Sequence, residues 1–455
     1  MPRYSANLAL LGLAIISCLV PLAGCGGAQA TQPTPTPTPV PTAPASGSQF
    51  LYVNYGRDGD PFTGPPIGPE DSLQVASLDP VSGALGSLTS AITDPSLTVI
   101  GPFPSLNLEA SVTSIFSLPS GKYLYFEPGL YFPPDQGNFG SLLGFSILDG
   151  GQLYHVNGDY PFLTQSLSGG VTGTAMEGLG RFIYASYSGV QPNQITLFQL
   201  NASTGEITQG PTLSDTSALQ LTVETSDPAG KFLYAWNNSP NQNLGVSVYQ
   251  IDATTGALTE ISGSPFPVAA GSSNWGWSND LEYFPMQFVM SSSGDFAYAN
   301  VLDFTNVING VGGAVWDLYA FSVDPTTGAL TTVAGYPISP NNLIPQAMVV
   351  HPNGKFLYLS QTSPTSNGIL IFAIDPATGA INPTPVSFVA DTYCCVTLLM
   401  NPSGSVLLDE GADVDYEFYT FGWHSFTVDG STGLLTTADT LNVDGGGTAA
   451  IVAIP

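Results

Sequence analysis

The chain has 455 residues with 34 acidic against 6 basic side chains, a formal net charge of −28, and only 9% charged residues, where a soluble domain carries about 25%. The charge excludes nucleic acid as a partner and disfavours phosphorylated substrates, because almost no cations are present to meet phosphate groups. The 51 glycines and 39 prolines argue against long helices, whereas 43% hydrophobic residues allow a large core.

An apolar run from Leu8 to Leu22 follows Arg3, and it is too short for a spanning helix. It indicates a signal peptide over residues 1–24. The run ends in Leu22-Ala23-Gly24-Cys25, which resembles the bacterial lipobox, in which the cysteine is acylated and becomes the mature N-terminus. A plain secretory signal is the alternative. Gly26 follows where inner-membrane retention would favour Asp, so the resemblance implies an outer-membrane lipoprotein of the cell envelope, with its domain in the periplasm or outside the cell and the lipid as its only membrane contact.

Residues 25–48 form the predicted linker, and its Thr/Pro-rich part from Thr31 to Pro44 favours extended polyproline II. Such a stretch has no core of its own and acts as a tether of roughly 40 Å. Residues 49–455 are the predicted globular domain.

An aromatic, an apolar residue and a tyrosine recur through that domain. The copies begin at Phe50, Tyr123, Phe182, Phe232, Phe296 and Phe356, with a weaker seventh at Val406. A second phrase, an Asp or Asn followed by a turn, a Gly and an apolar residue, also occurs seven times. Its copies begin at Asp79, Asp149, Asn201, Asp252, Asp324, Asp375 and Asp429.

The repeat spacing predicts an all-β, seven-bladed β-propeller. Successive first phrases lie 50 to 73 residues apart, enough for four short strands and their turns. The apolar alternation suits strands sandwiched between neighbouring blades. Because the first phrase at Phe50 lacks an innermost strand before it, we expect Ala449 to Pro455 to pair with Phe50 to Asn54 and close the ring.

The phrases Pro-x-Gly-Lys-Phe-Leu-Tyr and Ile-Asp-Pro-x-Thr-Gly-x-Leu resemble those of the lactonase-type seven-bladed propellers, which include 6-phosphogluconolactonase and 3-carboxymuconate lactonising enzymes. The resemblance implies a site with Pro-Arg-His at the start of an innermost strand and a Glu beyond the next strand. In the best-matching blade Pro345 fits, but Gln346, Ala347 and Thr362 stand where the family has Arg, His and Glu. The equivalent His positions in other blades are Ser114, Val223, Gln287 and Thr397.

Basic groups and histidines offer little replacement for that site. Lys122, Arg181, Lys231 and Lys355 map to the bottom of the ring, so Arg57 is the one basic residue expected at the top, where Asp58 and Asp60 could simply neutralise it. His155, His351 and His424 map to separate places, and we expect no metal site or other cofactor. An acidic loop from Asp409 to Glu417 could bind calcium, although a solvated face is the simpler interpretation. Asp303 and Glu410 are the candidate carboxylates at the channel.

The adjacent Cys394 and Cys395 map to the loop entering an innermost strand. A bridge between neighbours would be strained, so a redox or soft-metal role competes with plain packing.

Tryptophans suggest a ligand surface at the top. Trp275 and Trp277 occupy an inserted loop, and Trp236 ends a second strand; Trp316 and Trp423 begin third strands. Flat rings beside polar groups suit a carbohydrate, but they also suit packing between blades.

We therefore expect a monomeric envelope propeller that binds a carbohydrate, lactone or protein ligand through its top face. The alternatives are a lactone hydrolase with a non-standard active site, and a purely structural envelope protein. Hydrolysis needs a base and a polarising group at one mouth, whereas binding needs only shape and surface. The acidic composition adds the hypothesis that the domain works in an acidic medium, where protonation relieves self-repulsion.

Overall fold

The computed structural model describes residues 45–54, 73–91, 112–128, 141–156, 162–163, 171–187, 193–215, 220–238, 243–272, 283–303, 315–339, 344–362, 367–391, 394–415, 418–443 and 449–455. Their backbone forms strands and turns, apart from a short 3-10 helix at Asp149–Gly151. In this part of the chain no helix has the length and apolarity needed to cross a bilayer. The strands form seven antiparallel sheets, and the predicted seven-bladed propeller is confirmed.

Each sheet is one blade, numbered here from the blade that holds both chain ends, and each is given from its innermost strand outward. Blade 1 contains β30 (Ala449–Ala453), β1 (Gln49–Asn54), β2 (Leu73–Leu78) and β3 (Thr89–Ser90). Blade 2 contains β4 (Val112–Ser117), β5 (Tyr123–Pro128), β6 (Ser141–Ile147) and β7 (Leu153–His155), with β8 (Phe162–Leu163) also paired to β6. Blade 3 contains β9 (Val171–Met176), β10 (Phe182–Tyr187), β11 (Asn193–Leu200) and β12 (Ile207–Asp215).

The remaining four blades repeat this order. Blade 4 contains β13 (Gln220–Ser226), β14 (Phe232–Asn238), β15 (Asn243–Ile251) and β16 (Leu258–Glu260), with β17 (Phe266–Ser272) also paired to β15. Blade 5 contains β18 (Tyr283–Met290), β19 (Phe296–Asp303), β20 (Val315–Val323) and β21 (Leu330–Thr332). Blade 6 contains β22 (Ile344–Val350), β23 (Phe356–Thr362), β24 (Gly368–Ala373) and β25 (Ser387–Ala390). Blade 7 contains β26 (Cys394–Met400), β27 (Val406–Asp415), β28 (Phe418–Val428) and β29 (Leu435–Val443).

The apolar core is distributed around the ring. The buried apolar residues described here form seven clusters, and each cluster joins two successive blades. Phe50 and Tyr52 pack toward blade 2, whereas Leu51 between them packs toward blade 7. Side chains alternate across a strand, so the recurring aromatic-apolar-Tyr phrase buries both faces of each second strand. This is why the repeat is apolar at every position.

The two chain ends close the ring within blade 1. Strand β30 pairs with β1 in a register that sets Gln49 opposite Ala453 and Val53 opposite Ala449. Beyond the strands, the Gly47 amide donates to the Ile454 carbonyl at 2.8 Å. The predicted pairing of the C-terminal segment with the Phe50 strand is therefore confirmed, and it gives β1 a partner on both sides.

A repeated clasp fastens most of the blades to the next. The tyrosine hydroxyl of the first phrase donates to the carbonyl of the turn glycine of the following blade, at 2.7 Å from Tyr52 to Gly151 and 2.9 Å from Tyr358 to Gly433. The same bond is made by Tyr125, Tyr184 and Tyr234. Burial raises the pKa of these hydroxyls far above the ordinary range, so they remain donors. Each of these glycines has a positive φ, as the turn requires.

Blade 7 makes the same clasp with a different residue. Leu408 occupies the tyrosine position there, and the Ser425 hydroxyl on the neighbouring strand donates to the Gly83 carbonyl at 2.7 Å. Within the same sheet, the Ser425 hydroxyl thus replaces the tyrosine hydroxyl that the weak seventh copy of the phrase lacks.

The turns that carry these glycines lie on one face, called here the bottom rim. It consists of the turns between first and second strands and between third and fourth strands. Arg181 donates from its guanidinium to the Ala253 carbonyl, and Lys231 donates to the Pro325 carbonyl, each in the adjacent blade's turn. Lys122 and Lys355 follow the equivalent turn glycines. The predicted bottom location of these four cations is confirmed.

Candidate functional site at the inner edge of the ring

The innermost strands line the axis of the ring and are irregular. Strands β4, β9, β13, β18, β22 and β26 each pair with the second strand through a break in register near the upper end. A bulge of this kind leaves a residue outside the ladder and re-aims its side chain. The bulges therefore place residues with irregular backbone pairing and redirected side chains around the channel.

Polar side chains bridge neighbouring blades at this inner edge. Thr174 in blade 3 donates to the Ser114 hydroxyl in blade 2. The Val223 amide in blade 4 donates to the Ser186 hydroxyl in blade 3 at 2.9 Å, and the Met348 amide in blade 6 donates to the Gln287 side-chain oxygen in blade 5 at 2.6 Å. Backbone groups freed by the bulges thus find partners in the adjacent blade.

Between blades 4 and 5 the bridging group is a carboxyl. Glu224 is the extra residue of the β13 bulge, between the Val223–Ala235 and Thr225–Tyr234 pairs. It accepts a hydrogen bond from the Phe288 amide of blade 5. Part of the residue stays accessible to solvent, yet its carboxyl is enclosed by protein, and this burial raises its pKa to about 8 while the Phe288 bond opposes the rise. At neutral pH the carboxyl is mostly protonated.

Two further polar side chains of blade 4 are buried close to the bulge in sequence and pairing. Thr222 stands directly opposite Trp236 in the strand pairing, and the two are 6% and 1% exposed. Neither the Thr222 hydroxyl nor the Trp236 indole nitrogen has a hydrogen-bond partner among the described residues. The Trp236 ring packs edge-on against Phe288 at 5.8 Å between centroids.

Sequence reasoning missed Glu224, although the repeat contained a signal for it. Glu224 lies six residues before a turn glycine, and the same position in four other blades holds an apolar residue: Ile115, Phe288, Met348 and Leu398. All four are buried. The position also holds Thr174 in blade 3. The carboxyl of Glu224 is nevertheless a departure that core packing does not require.

Several predicted site residues lie outside the described part of the chain. These are Cys25, Arg57, Trp275 and Trp277. Trp275 and Trp277 belong to the sequence directly before β18, the strand that carries Phe288. Their predicted roles remain predictions.

The other candidates fall at separate places on the ring. Asp303 is the last residue of β19 and is partly buried. Cys394 and Cys395 begin β26 itself, opposite Ala412 and Gly411, and do not form a loop before it.

Glu410 is fully buried in blade 7, opposite Trp423. Trp423 lies in the middle of β28 because that strand is longer than expected, whereas Trp316 is near the start of β20.

The expected acidic loop is instead a strand. Asp409 to Asp415 belong to β27, which pairs along its whole length with β28. Asp409 and Glu410 are 1% and 0% exposed, so the interpretation of this segment as a solvated face is wrong for these two residues. The pairing with β28 begins at the apolar residues that open β27 and continues through the acidic residues.

The histidines have local roles. His424 pairs with Asp391 at 2.7 Å between Nδ1 and Oδ2. His351 accepts from the Asn353 amide in a bottom turn, and burial lowers its pKa. His155 lies on β7, an outer strand. Within the described ranges no group of three His, Cys, Asp or Glu side chains could hold a metal ion.

Comparison with known proteins agrees with the architecture. The family model "Lactonase, 7-bladed beta-propeller" matches residues 315–398. No protein of curated function matches the chain in sequence.

Solved structures resemble the whole ring. The periplasmic gluconolactonase of Pseudomonas aeruginosa superposes with a TM-score of 0.58 at 16% identity, covering 90% of this chain and 100% of that one. A putative 6-phosphogluconolactonase from Bacteroides fragilis gives 0.58 at 19% identity, over 89% and 98% of the two chains. A Lactobacillus plantarum protein gives 0.58 at 15% identity, over 89% and 99%. The chain thus has the seven-bladed β-propeller fold of these structures, and its match to the lactonase family model is located at residues 315–398.

Proposed function

We propose that this chain is a lipid-anchored envelope propeller that binds a small hydrogen-bonding ligand at the upper mouth and inner edge of the ring. The supporting observation is the inner edge itself, where hydroxyl, amide and carboxyl groups from neighbouring blades meet at bulged strands. Ligand sites are typically concave and carry a few such convergent polar groups.

Binding fits these groups better than hydrolysis. The described innermost-strand side chains include hydroxyls, amides and one carboxyl, but no imidazole and no guanidinium. The family's Pro-Arg-His pattern is replaced at Gln346 and Ala347. Opening a lactone needs a base together with a group that stabilises the developing oxyanion, and the cations of the described chain lie on the bottom rim.

The comparisons suggest which ligands to test first. Two similar structures carry the descriptions gluconolactonase and putative 6-phosphogluconolactonase, so sugar lactones and their open-chain acids come first. The net charge of −28 favours uncharged members over phosphorylated ones. The lipid anchor at Cys25 and the outer-membrane location belong to the same proposal.

The test is a binding panel on the full chain purified in detergent micelles. The panel contains neutral sugar lactones, aldonic acids, neutral oligosaccharides and short peptides. Trp275→Ala and Arg57→Ala test the residues that the sequence predicts for the top face. We expect at least one neutral sugar compound to bind, with no release of acid from a lactone above the uncatalysed rate.

Two results would contradict the proposal. Binding of no panel member would favour a structural role, and acid release well above the uncatalysed rate would favour hydrolysis. Mass spectrometry of the N-terminus tests the anchor separately, since acylated Cys25 must be the first residue.

A further inference from the structure

We propose that the central channel of the ring binds a neutral amphiphile, a molecule with a hydrogen-bonding head and an unbranched apolar tail. The head contacts the polar upper part of the channel, and the tail lies along its apolar lower part. This inference rests on the proposed function, because it names the class of ligand that the same inner edge receives.

The lower wall of the channel is apolar. Apart from β30, each innermost strand ends just before a bottom turn, so its last two residues lie beside the axis at the lower end. In most blades one or both of these residues are apolar and only half-buried, as in Phe116, Met176, Val289, Met290, Leu399 and Met400. Neighbouring blades cover one part of each side chain, so the exposed remainder faces the channel.

Methionine is concentrated in this wall. The chain has six methionines, and apart from Met1 all of them lie on innermost strands: Met176, Met286, Met290, Met348 and Met400. Methionine is unbranched, flexible and polarisable, and it is frequent at surfaces that adapt to apolar ligands. The apolar clusters extend to the third strands as well, so core packing alone does not explain why these methionines all lie beside the axis.

The upper part of the same wall is polar. Thr174 donates to Ser114 there, and Gln287 accepts from the Met348 amide. Hydroxyl and amide groups at one end and apolar side chains at the other match the two parts of an amphiphile. From Gln287 to Met290 the strand rises about 10 Å, which is the length available to the tail.

The charges of the wall select a neutral molecule. Among the innermost-strand residues that the structure describes, only Glu224 carries an acidic or basic side chain. The net charge of −28 repels anionic amphiphiles, and a cationic head finds one carboxyl among many hydroxyls and amides. A hydroxyl-rich head suits this wall best, because hydroxyls both donate to and accept from such groups.

The test uses the full chain in lipid nanodiscs, because a detergent is itself an amphiphile and competes for the channel. Equilibrium dialysis compares methyl, butyl and hexyl β-D-glucoside, with empty nanodiscs as the blank for partitioning into lipid. Each fully buried methylene strengthens binding about fourfold. We therefore expect hexyl glucoside to bind about tenfold more tightly than butyl glucoside, and more tightly than hexanoate or hexylammonium.

Two substitutions test the place of the tail. Ser117 and Ser226 occupy the last strand position in blades 2 and 4, so the fold accepts serine where other blades have Met290 and Met400. Met290→Ser and Met400→Ser should each weaken the binding of hexyl glucoside about fourfold. Both variants should bind methyl glucoside as the parent chain does.

Val386→Ser is the matched control. Val386 is 46% exposed just before β25, the outer strand of blade 6, so this variant loses apolar surface away from the channel. It should bind every glucoside as the parent chain does. If a methionine variant fails to fold, Val289→Thr replaces it, because Thr225 occupies the equivalent position of blade 4.

The outcomes separate this inference from the proposed function. If sugar compounds bind but their affinity does not rise with tail length, the lower channel is not a ligand site and the proposed function stands. Equal dependence on tail length in the methionine variants and Val386→Ser also overturns the inference, as does tighter binding of a charged probe. If no glucoside and no panel member binds, both proposals fail together.

Discussion

At the bottom rim the blades fasten to one another in one repeated way, whereas at the inner edge neighbouring interfaces use different polar groups. Tyr52, Tyr184 and Tyr358 donate to the turn glycine of the next blade, and Ser425 makes the same contact where the tyrosine is missing. The inner edge instead has a pair of hydroxyls between blades 2 and 3 and a carboxyl between blades 4 and 5.

This difference separates contacts that stabilise the whole ring from groups that give one blade interface a local property. A contact repeated in almost every blade joins neighbouring blades around most of the ring, so changing it should reduce stability wherever it occurs. A group present in one blade only is not required by the packing, so changing it should alter a local property. The predictions below test each side of this comparison.

The largest effect is expected where a turn glycine lies under an aromatic ring. A Cβ at Gly379 would stand 2.3 Å from the Phe296 ring, and φ there is +72°. Gly379→Ala should lower the free energy of unfolding by about 2–5 kcal/mol, through backbone strain and overpacking together. Urea denaturation of the full chain measures this loss.

Gly354→Ala is the matched control for this prediction. Its φ is +71°, but a Cβ there meets nothing within 4 Å, so only backbone strain of about 1–2 kcal/mol is expected. Equal losses of unfolding free energy in the two variants would show that the contact with the Phe296 side chain contributes nothing.

At the inner edge, Glu224 should make the stability of the propeller depend on pH. Its pKa rises from 4.5 to about 8 on folding, so the folded chain holds a proton that the unfolded chain releases. The stability from this group is therefore fully present below about pH 4.5 and is lost as pH rises through about 8. Allowing for its partial exposure, the loss is on the order of 2–3 kcal/mol.

Thermal melts from pH 3 to 9 test this prediction. Glu224→Gln should flatten the decline between pH 5 and 8, whereas Glu260→Gln should leave it unchanged. The remaining decline reports general repulsion among the acidic residues, which both variants share. A parent chain most stable at neutral or alkaline pH would also count against function in an acidic medium.

The sequence predicted the ring better than the site, for a physical reason. Periodic features such as Phe50-Leu51-Tyr52 and the Asp-x-x-x-Gly turns are repeated, so they identify strands, turns and the pairing of the chain ends. Asp409 and Glu410 were misplaced because their charge suggests solvent, while the strand pairing that buries them is non-local. Glu224 was missed because its raised pKa depends on a bulge and on the Phe288 amide of another blade.

A smaller effect is expected from removing a single clasp hydroxyl. Tyr358→Phe and Ser425→Ala each leave a buried glycine carbonyl, of Gly433 or Gly83, without its donor. Each should cost about 1–2 kcal/mol, even though the residues differ. Tyr154→Phe, on a side chain 48% exposed, is the control and should change the urea midpoint little. A loss at Tyr358 without one at Ser425 would show that blade 7 is not clasped by its serine.

The smallest effect concerns the aspartates that cap the turns of the bottom rim. Asp324 accepts from the Thr326 and Thr327 amides at 2.8 and 2.9 Å, and these bonds lower its pKa. Its contribution to stability is present above its unfolded pKa and is lost as pH falls through the folded value. Asn201 makes the same contacts in blade 3 through its amide oxygen.

Asp324→Asn should therefore keep the cap and remove its pH dependence, while Asp324→Ala should lose the cap at every pH. Urea midpoints at pH 7 should rank the parent chain and Asp324→Asn together above Asp324→Ala. At an acidic pH below the folded pKa of Asp324, the parent chain should fall below Asp324→Asn. If the two keep the same midpoint at both pH values, the carboxylate charge does not contribute to the turn, and shape alone explains why Asp and Asn interchange at this position of the repeat.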